Sequence, residues 1–471
     1  MKSDNAINIK HNLISSSFRD PAAQVYIIDG VVYRQINEPG YNDYNKLMKS
    51  GLYERLVSLG YLIPHTEVKK ELAADSRAIT VIKPEKVNFI SYPYEWSFSQ
   101  LKSAALLTLE ITKVALEFGM TLKDANAYNI QFHHGKPIFI DTSSFESYKE
   151  GSPWTAYYQF CKHFLAPLSL MSKVDIRMGA LIKQYIDGIP LDLTSKLLPL
   201  NSWLSLSTLG HIHLHAKSQT KYSDAAASDS VEKTKSKVKV SKNGMYGLVD
   251  NLLSLIKSQK WRPVDTEWGD YYTKTNYSDT AVTHKGEIIN SFISKLQPDT
   301  VWDLGGNTGF YSRIAASSGA DVLSFDIDPV AVEANYQKVC KDNDSRILPL
   351  LMDLTNPSPM IGWAHSERES LHERGPADIV MALALTHHLA ISNNVPLNQI
   401  AEYFSSLGEY LIIEFVPKED SQVKRLLSSR KDIFPNYTID GFKKAFSEFY
   451  NLLGETPVRD THRSIHLMKK K

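Results

Sequence analysis

Two aspartates on either side of a glycine-rich turn are the residues of this sequence best placed for chemistry. One apolar run ends in Asp303, and the turn that follows contains Gly305, Gly306 and Gly309. About twenty residues later a second apolar run ends in Asp326. In a doubly wound sheet, this arrangement holds a nucleoside at the carboxyl ends of the first two strands. The sequence therefore predicts a nucleoside site, although the glycine spacing is not the G-x-G-x-x-G of dinucleotide sites.

This segment resembles motif I of class I S-adenosylmethionine (SAM)-dependent methyltransferases. Asp326, at the end of its strand, is placed to accept hydrogen bonds from both ribose hydroxyls. The resemblance implies that Asp303 helps to order the methionine end and that Asp353 meets the adenine amino group. Asn307 stands where many members have glycine, and asparagine tolerates the positive φ of such a turn. We predict a SAM site over Asp303, Gly305, Gly306, Asn307, Gly309, Asp326 and Asp353. The alternatives are an NAD site or a turn that binds no nucleotide.

Candidates for proton transfer follow the next two strands of the same region. His387 and His388 come after the fourth strand, where substrates sit in this class of sheet, and Glu414 ends the fifth strand. A hydroxyl nucleophile must lose its proton, and histidine titrates in the required range. Either histidine is therefore a candidate base, with Glu414 as its partner. The alternative is that these residues pack or line the pocket, because positioning alone accelerates many methyl transfers.

The elements around these residues alternate between strand and helix. Strands are predicted at 300–304, 321–326, 346–350, 377–383 and 410–416, with helices at 310–318, 330–340 and 397–406. This order predicts an α/β fold, a Rossmann-like doubly wound sheet that is mostly parallel. The alternating segment 463–468 predicts a closing edge strand, and class I methyltransferases likewise end on an antiparallel strand.

A second group of polar residues lies in the first half of the chain. Asp124 and Asn129 keep the spacing of a kinase catalytic loop, and Asp141 ends the next strand. This segment resembles the aminoglycoside-phosphotransferase branch of small-molecule kinases, which implies an α+β kinase-like domain and possible Mg-ATP binding. Arg34 stands nearest to the position of the nucleotide-binding lysine, with Glu54 as its expected helix partner. The sequence departs from that family because it has no glycine-rich phosphate loop. A catalytically dead recognition domain, or an ordinary β-hairpin with satisfied polar groups, is the alternative.

Other elements of the first half have clear local signals. Two apolar runs around Asp29-Gly30 predict a β-hairpin. Helices are predicted at 44–59 and at 101–118, the second of them ending at Gly119. His211, His213 and His215 alternate, so a strand would place all three on one face. We weigh metal binding there against a strand that packs between domains or contacts the acceptor, and we predict no metal site. The aromatic cluster 268–277 predicts packing or a lid over the SAM site.

Length and composition limit the class of protein. A chain of 471 residues accommodates two or three domains. We predict a kinase-like domain over 1–215, a flexible Ser/Lys/Ala-rich linker over 216–243 and a methyltransferase domain over 244–471. A net charge of +1 gives no general attraction to nucleic acid. No apolar run is long enough to span a membrane. With only two cysteines, Cys161 and Cys340, and no signal peptide, we expect a cytoplasmic protein.

These observations combine into one functional hypothesis. The two-part arrangement resembles bacterial proteins described as methyltransferases. We expect SAM-dependent methylation of an oxygen or nitrogen on a small-molecule or glycan acceptor, with the N-terminal domain recognising the acceptor or a partner. The alternatives are a bifunctional kinase and methyltransferase acting on one acceptor, and a SAM-responsive scaffold without activity. The oligomeric state and the accepting atom are not indicated by the sequence.

Overall fold

The computed structural model describes residues 11–214, 239–262, 278–428 and 430–471. The predicted lid at 268–277, His215 and residues 216–238 of the predicted linker lie outside these ranges. The end of the predicted linker is inside them. There, Val240 forms a β-bridge with Gly151, and a helix begins at Lys242.

The N-terminal half opens with a five-stranded antiparallel sheet in the order β1-β2-β3-β5-β4. Its strands are Asn12–Leu13 (β1), Ala23–Ile28 (β2), Val31–Asn37 (β3), His65–Val68 (β4) and Ala78–Pro84 (β5). The predicted hairpin is confirmed, since Ile28 pairs with Val31 in the β2–β3 ladder. Asp29 and Gly30 form its turn with φ of 47° and 77°, as a two-residue hairpin requires.

Two short antiparallel ladders follow this sheet. β6 (Met120–Leu122) pairs with β9 (Phe145–Ser147), and β7 (Ile130–His133) pairs with β8 (Lys136–Phe139). They lie after the long helix Phe98–Glu117, and they carry the segment from Asp124 to Asp141.

Helices make up most of the rest of the N-terminal half. The helix predicted over 44–59 is two helices, because Gly51 adopts a left-handed φ of 83° between them. The helix predicted over 101–118 begins at Phe98, where Ser97 and Gln100 form a capping box. The α-helices are Glu38–Lys49, Leu52–Ser58, Phe98–Glu117, Tyr157–Phe160, Ala166–Lys173, Leu181–Gln184, Leu191–Leu197 and Leu206–Thr208. Cys161–Leu165 and Leu209–Leu214 are π-helical, and short 3₁₀ turns cover Ser15–Arg19, Lys70–Leu72, Pro93–Glu95, Ala127–Asn129, Thr142–Ser144, Ile176–Ala180 and Leu200–Leu204.

The C-terminal half contains a seven-stranded sheet in the order β12-β11-β10-β13-β14-β16-β15. Its strands are Thr300–Leu304 (β10), Asp321–Asp326 (β11), Ile347–Leu351 (β12), Ala377–Ala382 (β13), Gly408–Phe415 (β14), Tyr450–Pro457 (β15) and Ser464–Lys470 (β16). The first five strands in this order are parallel, so the predicted doubly wound sheet is confirmed. The prediction of a closing edge strand at 463–468 is wrong in one respect. β16 pairs with both β14 and β15, and β15, which was not predicted, forms the edge.

Helices cover this sheet as a doubly wound fold requires. The α-helices are Lys242–Ser258, Asp279–Leu296, Phe310–Ser317, Pro329–Asp342, Leu397–Leu407, Ser421–Ser428 and Ile439–Phe446. His388–Ser392 forms a π-helical turn, and Trp363–His365 a 3₁₀ turn. In the part of the chain that the structure describes, no helix combines the length and the apolar character that a membrane crossing needs.

The two halves share a continuous apolar core. Phe89 packs edge-on against Trp302 and Phe325, with ring centroids 5.8 Å and 6.4 Å away. Beside these rings, Arg374 and Glu95 form a buried ion pair at 2.5 Å. The helix Lys242–Ser258 packs on the helix Phe98–Glu117. The N-terminal half therefore packs against β10 and β11, the first two strands of the parallel sheet.

Candidate functional site

The turn after β10 contains left-handed residues and packs tightly against β11. Gly305 and Gly309 have a φ of 78° and Asn307 a φ of 50°, so asparagine does adopt the left-handed conformation expected of it. A Cβ on Gly306 would lie 2.4 Å from Oγ of Ser324. Gly309 precedes the helix Phe310–Ser317. The glycines of this motif are therefore required by the conformation and packing of the turn itself.

We expect Gly306→Ala to lower the stability of the protein by about 1–3 kcal/mol, because the added methyl group overpacks a rigid turn. Gly247→Ala is the matched control, since a Cβ at that helical position meets open space. Alanine is favoured over glycine in a helix by about 1 kcal/mol, so the control should be neutral or stabilising. Urea unfolding followed by fluorescence measures both. Equal stability of the two variants would contradict the close approach at Gly306.

Asp326 lies at the end of β11, beside the turn. Its Oδ2 accepts a hydrogen bond of 2.8 Å from the backbone N–H of Asn307, and its Oδ1 accepts one of 2.8 Å from the N–H of Asp328. Burial raises the pKa of Asp326 to about 6, although the two backbone hydrogen bonds lower it. The carboxylate is thus fixed in orientation, and lone pairs remain for donors from a ligand.

Asp303, at the end of β10, has one satisfied and one unsatisfied oxygen. Oδ2 accepts a hydrogen bond of 2.6 Å from Oγ of Ser312. Oδ1 is buried and has no hydrogen-bond partner among the residues that the structure describes. Burial raises the pKa of Asp303 to about 6. An unpaired buried oxygen is costly, so this position suits a ligand that carries a donor or a positive charge.

A cavity of about 390 Å³ opens between these two carboxylates. Most of the predicted site residues line it, namely Asp303, Gly305, Gly306, Asn307, Asp326, Asp353 and His388. Oδ1 of Asp353 accepts hydrogen bonds from N and Oγ1 of Thr355, at 2.8 Å and 2.7 Å. Apolar side chains complete the wall, among them Val282, Ile327, Met352, Leu385 and Leu389. A largely apolar cavity with a few convergent polar groups is typical of a small-molecule site.

The two candidate histidines have different surroundings. His388 lines the cavity, and burial together with Arg463 lowers its pKa to about 4. His387 lies behind it, 1% exposed, with ring centroids 4.1 Å apart. Burial and the adjacent His388 hold the pKa of His387 well below 6.5. His388 is therefore a neutral imidazole that faces the cavity, whereas His387 does not line it.

Glu414 lies in a buried ionic cluster behind the cavity. Its Oε2 is 2.6 Å from Nζ of Lys285, and its Oε1 is 3.7 Å from Nη1 of Arg463. Arg463 in turn forms a two-point ion pair with Asp420, at 2.7 Å and 3.0 Å. Glu414 is fully buried and does not line the cavity. This arrangement favours a role as counter-ion over a role as partner of a catalytic histidine.

The sequence does not identify three residues in or beside this site, namely Lys285, Tyr311 and Arg463. Lys285 lines the cavity and lies 4.6 Å over the ring of Tyr311, which also lines it. A signal for Lys285 was present, because it lies on the face of its helix that also carries the buried Ala281, Ile288 and Ile289. A lysine on an apolar helix face requires a buried partner. Arg463 had no comparable local signal.

The structure also brings the second group of residues together. Oδ1 and Oδ2 of Asp141 accept hydrogen bonds from Oγ of Ser143 at 2.7 Å and of Ser144 at 2.6 Å. Arg34 forms an ion pair with Asp141. Burial disfavours the charged form of Asp141, but Arg34, Ser143 and Ser144 stabilise that form and hold the pKa of Asp141 below its usual value. Nδ2 of Asn129 donates to Oγ of Ser144 at 3.1 Å.

Asp124 lies near Asp141, whereas Glu54 is on the surface. Burial, and then the charge of Asp141, raises the pKa of Asp124, so the two acids lie near enough for their charges to interact. The expected partner of Arg34 is not confirmed. Glu54 is exposed, and Arg34 contacts Asp141 instead.

The histidines at 211 and 213 do not lie on a strand. They belong to the π-helical segment Leu209–Leu214. His211 is bonded to Tyr157 at 2.6 Å and to Asn251 at 2.8 Å. His213 is bonded to Oγ of Ser195 at 2.7 Å and to Oγ of Ser202 at 2.9 Å. The strand geometry weighed for metal binding is therefore wrong, and both histidines pack.

Comparison with known proteins gives one extensive sequence match. No family model matches the chain. Nodulation protein NoeA of Rhizobium meliloti (strain 1021) is 33% identical over 465 residues, which covers 97% of this chain and 96% of that protein.

Several solved structures resemble part of the chain. Magnesium protoporphyrin IX methyltransferase (ChlM) from Synechocystis PCC 6803 with bound SAH is 17% identical and covers 43% of this chain and 92% of its own, with a TM-score of 0.32. The bifunctional kinase-methyltransferase WbdD is 17% identical over 41% of this chain and 40% of its own, with a TM-score of 0.29. The methyltransferase domain of bacterial CtHen1 is 10% identical over 40% of this chain and 98% of its own, also with a TM-score of 0.29.

Proposed function

The chain belongs to the family of nodulation protein NoeA, and from the geometry of the cavity we propose that this chain is a class I SAM-dependent methyltransferase. The name of the relative states no chemical reaction. The acceptor is an oxygen or nitrogen of a small molecule or a glycan. The observation that supports this proposal most strongly is the pair of carboxylates, the buried Asp303 and the half-buried Asp326, on either side of a glycine-lined cavity.

The residues of the cavity fit SAM. The buried, unpaired Oδ1 of Asp303 suits the ammonium group of the methionine portion. Asp326 is oriented by two backbone donors and takes the ribose hydroxyls, while Asp353 takes the adenine amino group. A side chain at 306 would press on Ser324 and on Oδ2 of Asp303, 2.4 Å and 3.0 Å from its Cβ, and would displace the carboxylate that is to meet the ligand. When bound, SAM supplies the electrophilic methyl carbon.

His388 is the proposed general base. It lines the cavity, and the imidazole is neutral at physiological pH because burial and Arg463 lower its pKa to about 4. The neutral ring can therefore take the proton of the acceptor, although so low a pKa makes His388 a weak base. His387 packs against it and fixes its orientation. Glu414 and Asp420 together neutralise Lys285 and Arg463, so that the charges behind the cavity wall balance. In this account His388 is catalytic, and His387 and Glu414 are positioning residues.

We assign recognition of the acceptor or of a partner to the N-terminal half. Magnesium binding at Asp141 is disfavoured, because Arg34, Ser143 and Ser144 already occupy its oxygens. A kinase-like domain without phosphotransfer is therefore preferred over the bifunctional alternative, and Mg-ATP is not part of the proposal.

Transfer of label from methyl-tritiated SAM tests the proposed activity. The full chain is incubated with a fractionated extract of cells that produce it, and Asp326→Ala is run in parallel. We expect label in a small-molecule or glycan fraction with the wild type only. Label in protein or nucleic acid would contradict the proposed acceptor class. SAM binding without transfer to any fraction would favour the non-enzymatic scaffold.

The affinity for SAM should fall as the pH falls through about 6. Burial raises the pKa of Asp326 to about 6, and a protonated carboxyl group cannot accept from both ribose hydroxyls. Below this pKa, linkage predicts about a tenfold loss of affinity per pH unit for each such carboxylate. His388 stays neutral over this range, so it adds no slope.

Calorimetric titration with SAM at pH 8, 7, 6 and 5 measures this dependence. Asp326→Asn, which has no titrating group at this position, should show a flatter profile than the wild type. The slope that remains in this variant belongs to Asp303, whose pKa is also raised to about 6. Identical slopes in the two proteins would contradict the role given to Asp326.

A further inference from the structure

Glu85 and two consecutive histidines, His133 and His134, come together in the N-terminal half. Nε2 of His133 lies 3.0 Å from Oε1 of Glu85. The two imidazole rings have centroids 3.9 Å apart. One ligand atom from each of the three residues lies within 4.8 Å of the other two. Ligands of one tetrahedral zinc ion are separated by roughly 3.3 Å, so small side-chain rotations bring all three to one ion.

The turn between β7 and β8 makes this geometry possible. Consecutive side chains on a strand point to opposite faces, so two adjacent histidines on a strand would not reach one ion. Here His134 has a φ of 48° and Gly135 a φ of 75°, and His133 pairs with Lys136 across the hairpin. The left-handed turn places the ring of His134 beside that of His133.

Both segments that carry the three residues are held in place. Glu85 directly follows β5, and its N–H donates to the carbonyl oxygen of Pro64 at 2.8 Å. The tip of the hairpin packs on the C-terminal half, where a Cβ on Gly135 would lie 2.4 Å from the carbonyl oxygen of Asp344. The three side chains can therefore reach one ion without a movement of the backbone, and such preorganisation favours metal binding.

We propose that Glu85, His133 and His134 bind one divalent transition-metal ion, with zinc as the ion that fits best. Two imidazole nitrogens and one carboxylate oxygen form a typical zinc set, with water in the fourth position. Magnesium and calcium prefer oxygen ligands alone. Glu85 and His134 are exposed, so the ion reaches the site from solvent. This site departs from the sequence-based expectation of no metal.

The bound ion would have a structural role. It joins the end of β5 to the hairpin whose tip lies against the loop at Asp344, and so stabilises the contact between the two halves. Binding that is specific to the folded state raises its stability. The proposal is independent of methyl transfer, because none of the three residues lines the SAM cavity.

Titration of the metal-free full chain with zinc chloride by calorimetry tests the site. We expect one zinc ion per chain at this position, and no saturable heat from magnesium chloride. His134→Asn retains a residue that tolerates the left-handed turn, and Glu85→Gln retains the shape of the side chain. Each should weaken zinc binding about tenfold or more, since even outer-shell changes cost that much. His365→Asn is the matched control, because His365 is exposed and left-handed with a φ of 56°.

Thermal unfolding provides a second readout that does not depend on activity. Zinc should raise the melting temperature of the wild type and of His365→Asn, and should raise that of His134→Asn by less at the same zinc concentration. The same melts show whether each variant is folded. The proposal is overturned if zinc gives no saturable heat with the wild type. It is also overturned if His134→Asn and Glu85→Gln bind zinc as tightly as His365→Asn.

Discussion

Asp326→Ala is expected to weaken SAM binding at least about a hundredfold. The proposed role of Asp326 is to accept two ribose hydroxyls, and a hydrogen bond to a charged group contributes about 1.5–3 kcal/mol. Two such bonds therefore exceed about 3 kcal/mol, and each 1.4 kcal/mol corresponds to a factor of ten. The variant also removes the acceptor that holds the N–H of Asn307, which adds to the loss. Calorimetry with SAM and with S-adenosylhomocysteine measures the change.

Asp321→Ala is the matched control on the same strand. Asp321 lies at the opposite end of β11, where its partly exposed carboxylate is 3.5 Å from Arg346. It should bind SAM as the wild type does, with an unchanged melting temperature to within a degree or two. If Asp326→Ala remains folded and binds SAM within about threefold of the wild type, the proposed ribose contact is wrong.

Glu414→Ala is expected to destabilise the fold by about 3–5 kcal/mol, the cost of leaving a buried charge without its partner. Lys285, whose side chain is 3% exposed, would lose the carboxylate 2.6 Å from its Nζ. Burial lowers the pKa of Lys285 and Glu414 opposes that shift, so its removal favours the neutral amine. Urea unfolding with fluorescence and circular dichroism measures the loss.

The control for this prediction is an exposed ion pair between β14, the strand that carries Glu414, and β16. Glu409 and Lys469 lie 3.4 Å apart with exposed fractions of 58% and 45%, and exposed pairs contribute about 1 kcal/mol or less. Glu409→Ala should therefore change stability little. A Glu414→Ala protein of near-normal stability that has lost methyl transfer would show that Glu414 takes part in the chemistry, as the sequence had suggested.

The part of the site that the sequence predicts is the part that is local. Asp303, the glycine turn and Asp326 form contiguous segments whose strand, turn and helix signals agree. The doubly wound order then brings their ends to one edge of the sheet, since parallel strands place their carboxyl ends together. For the same reason His387 and His388 were both predicted at this edge, and His388 lines the cavity whereas His387 does not. The β2–β3 hairpin was equally clear, because Asp-Gly is a strong turn signal.

What the sequence does not predict depends on long-range pairing. Lys285 and Glu414 meet across 129 positions, and no local pattern identifies Arg463 as their neighbour. β16 was assigned to the edge because the pairing of β15, with its glycine and proline, has a weak signal. The alternation of His211 and His213 suits a strand, yet tertiary contacts with Asn251 and Ser202 place them on a helical turn. Local propensity is a weak guide where packing decides.

The most direct test of the account is calorimetric titration of the purified, folded chain at pH 8 with four ligands in turn. These are SAM, S-adenosylhomocysteine, NAD⁺ and FAD. We expect saturable binding of the first two at one site per chain, weakened at least about a hundredfold in Asp326→Ala and retained in Asp321→Ala, and no binding of the dinucleotides. Binding of NAD⁺ or FAD with no heat from SAM or its demethylated product would contradict it.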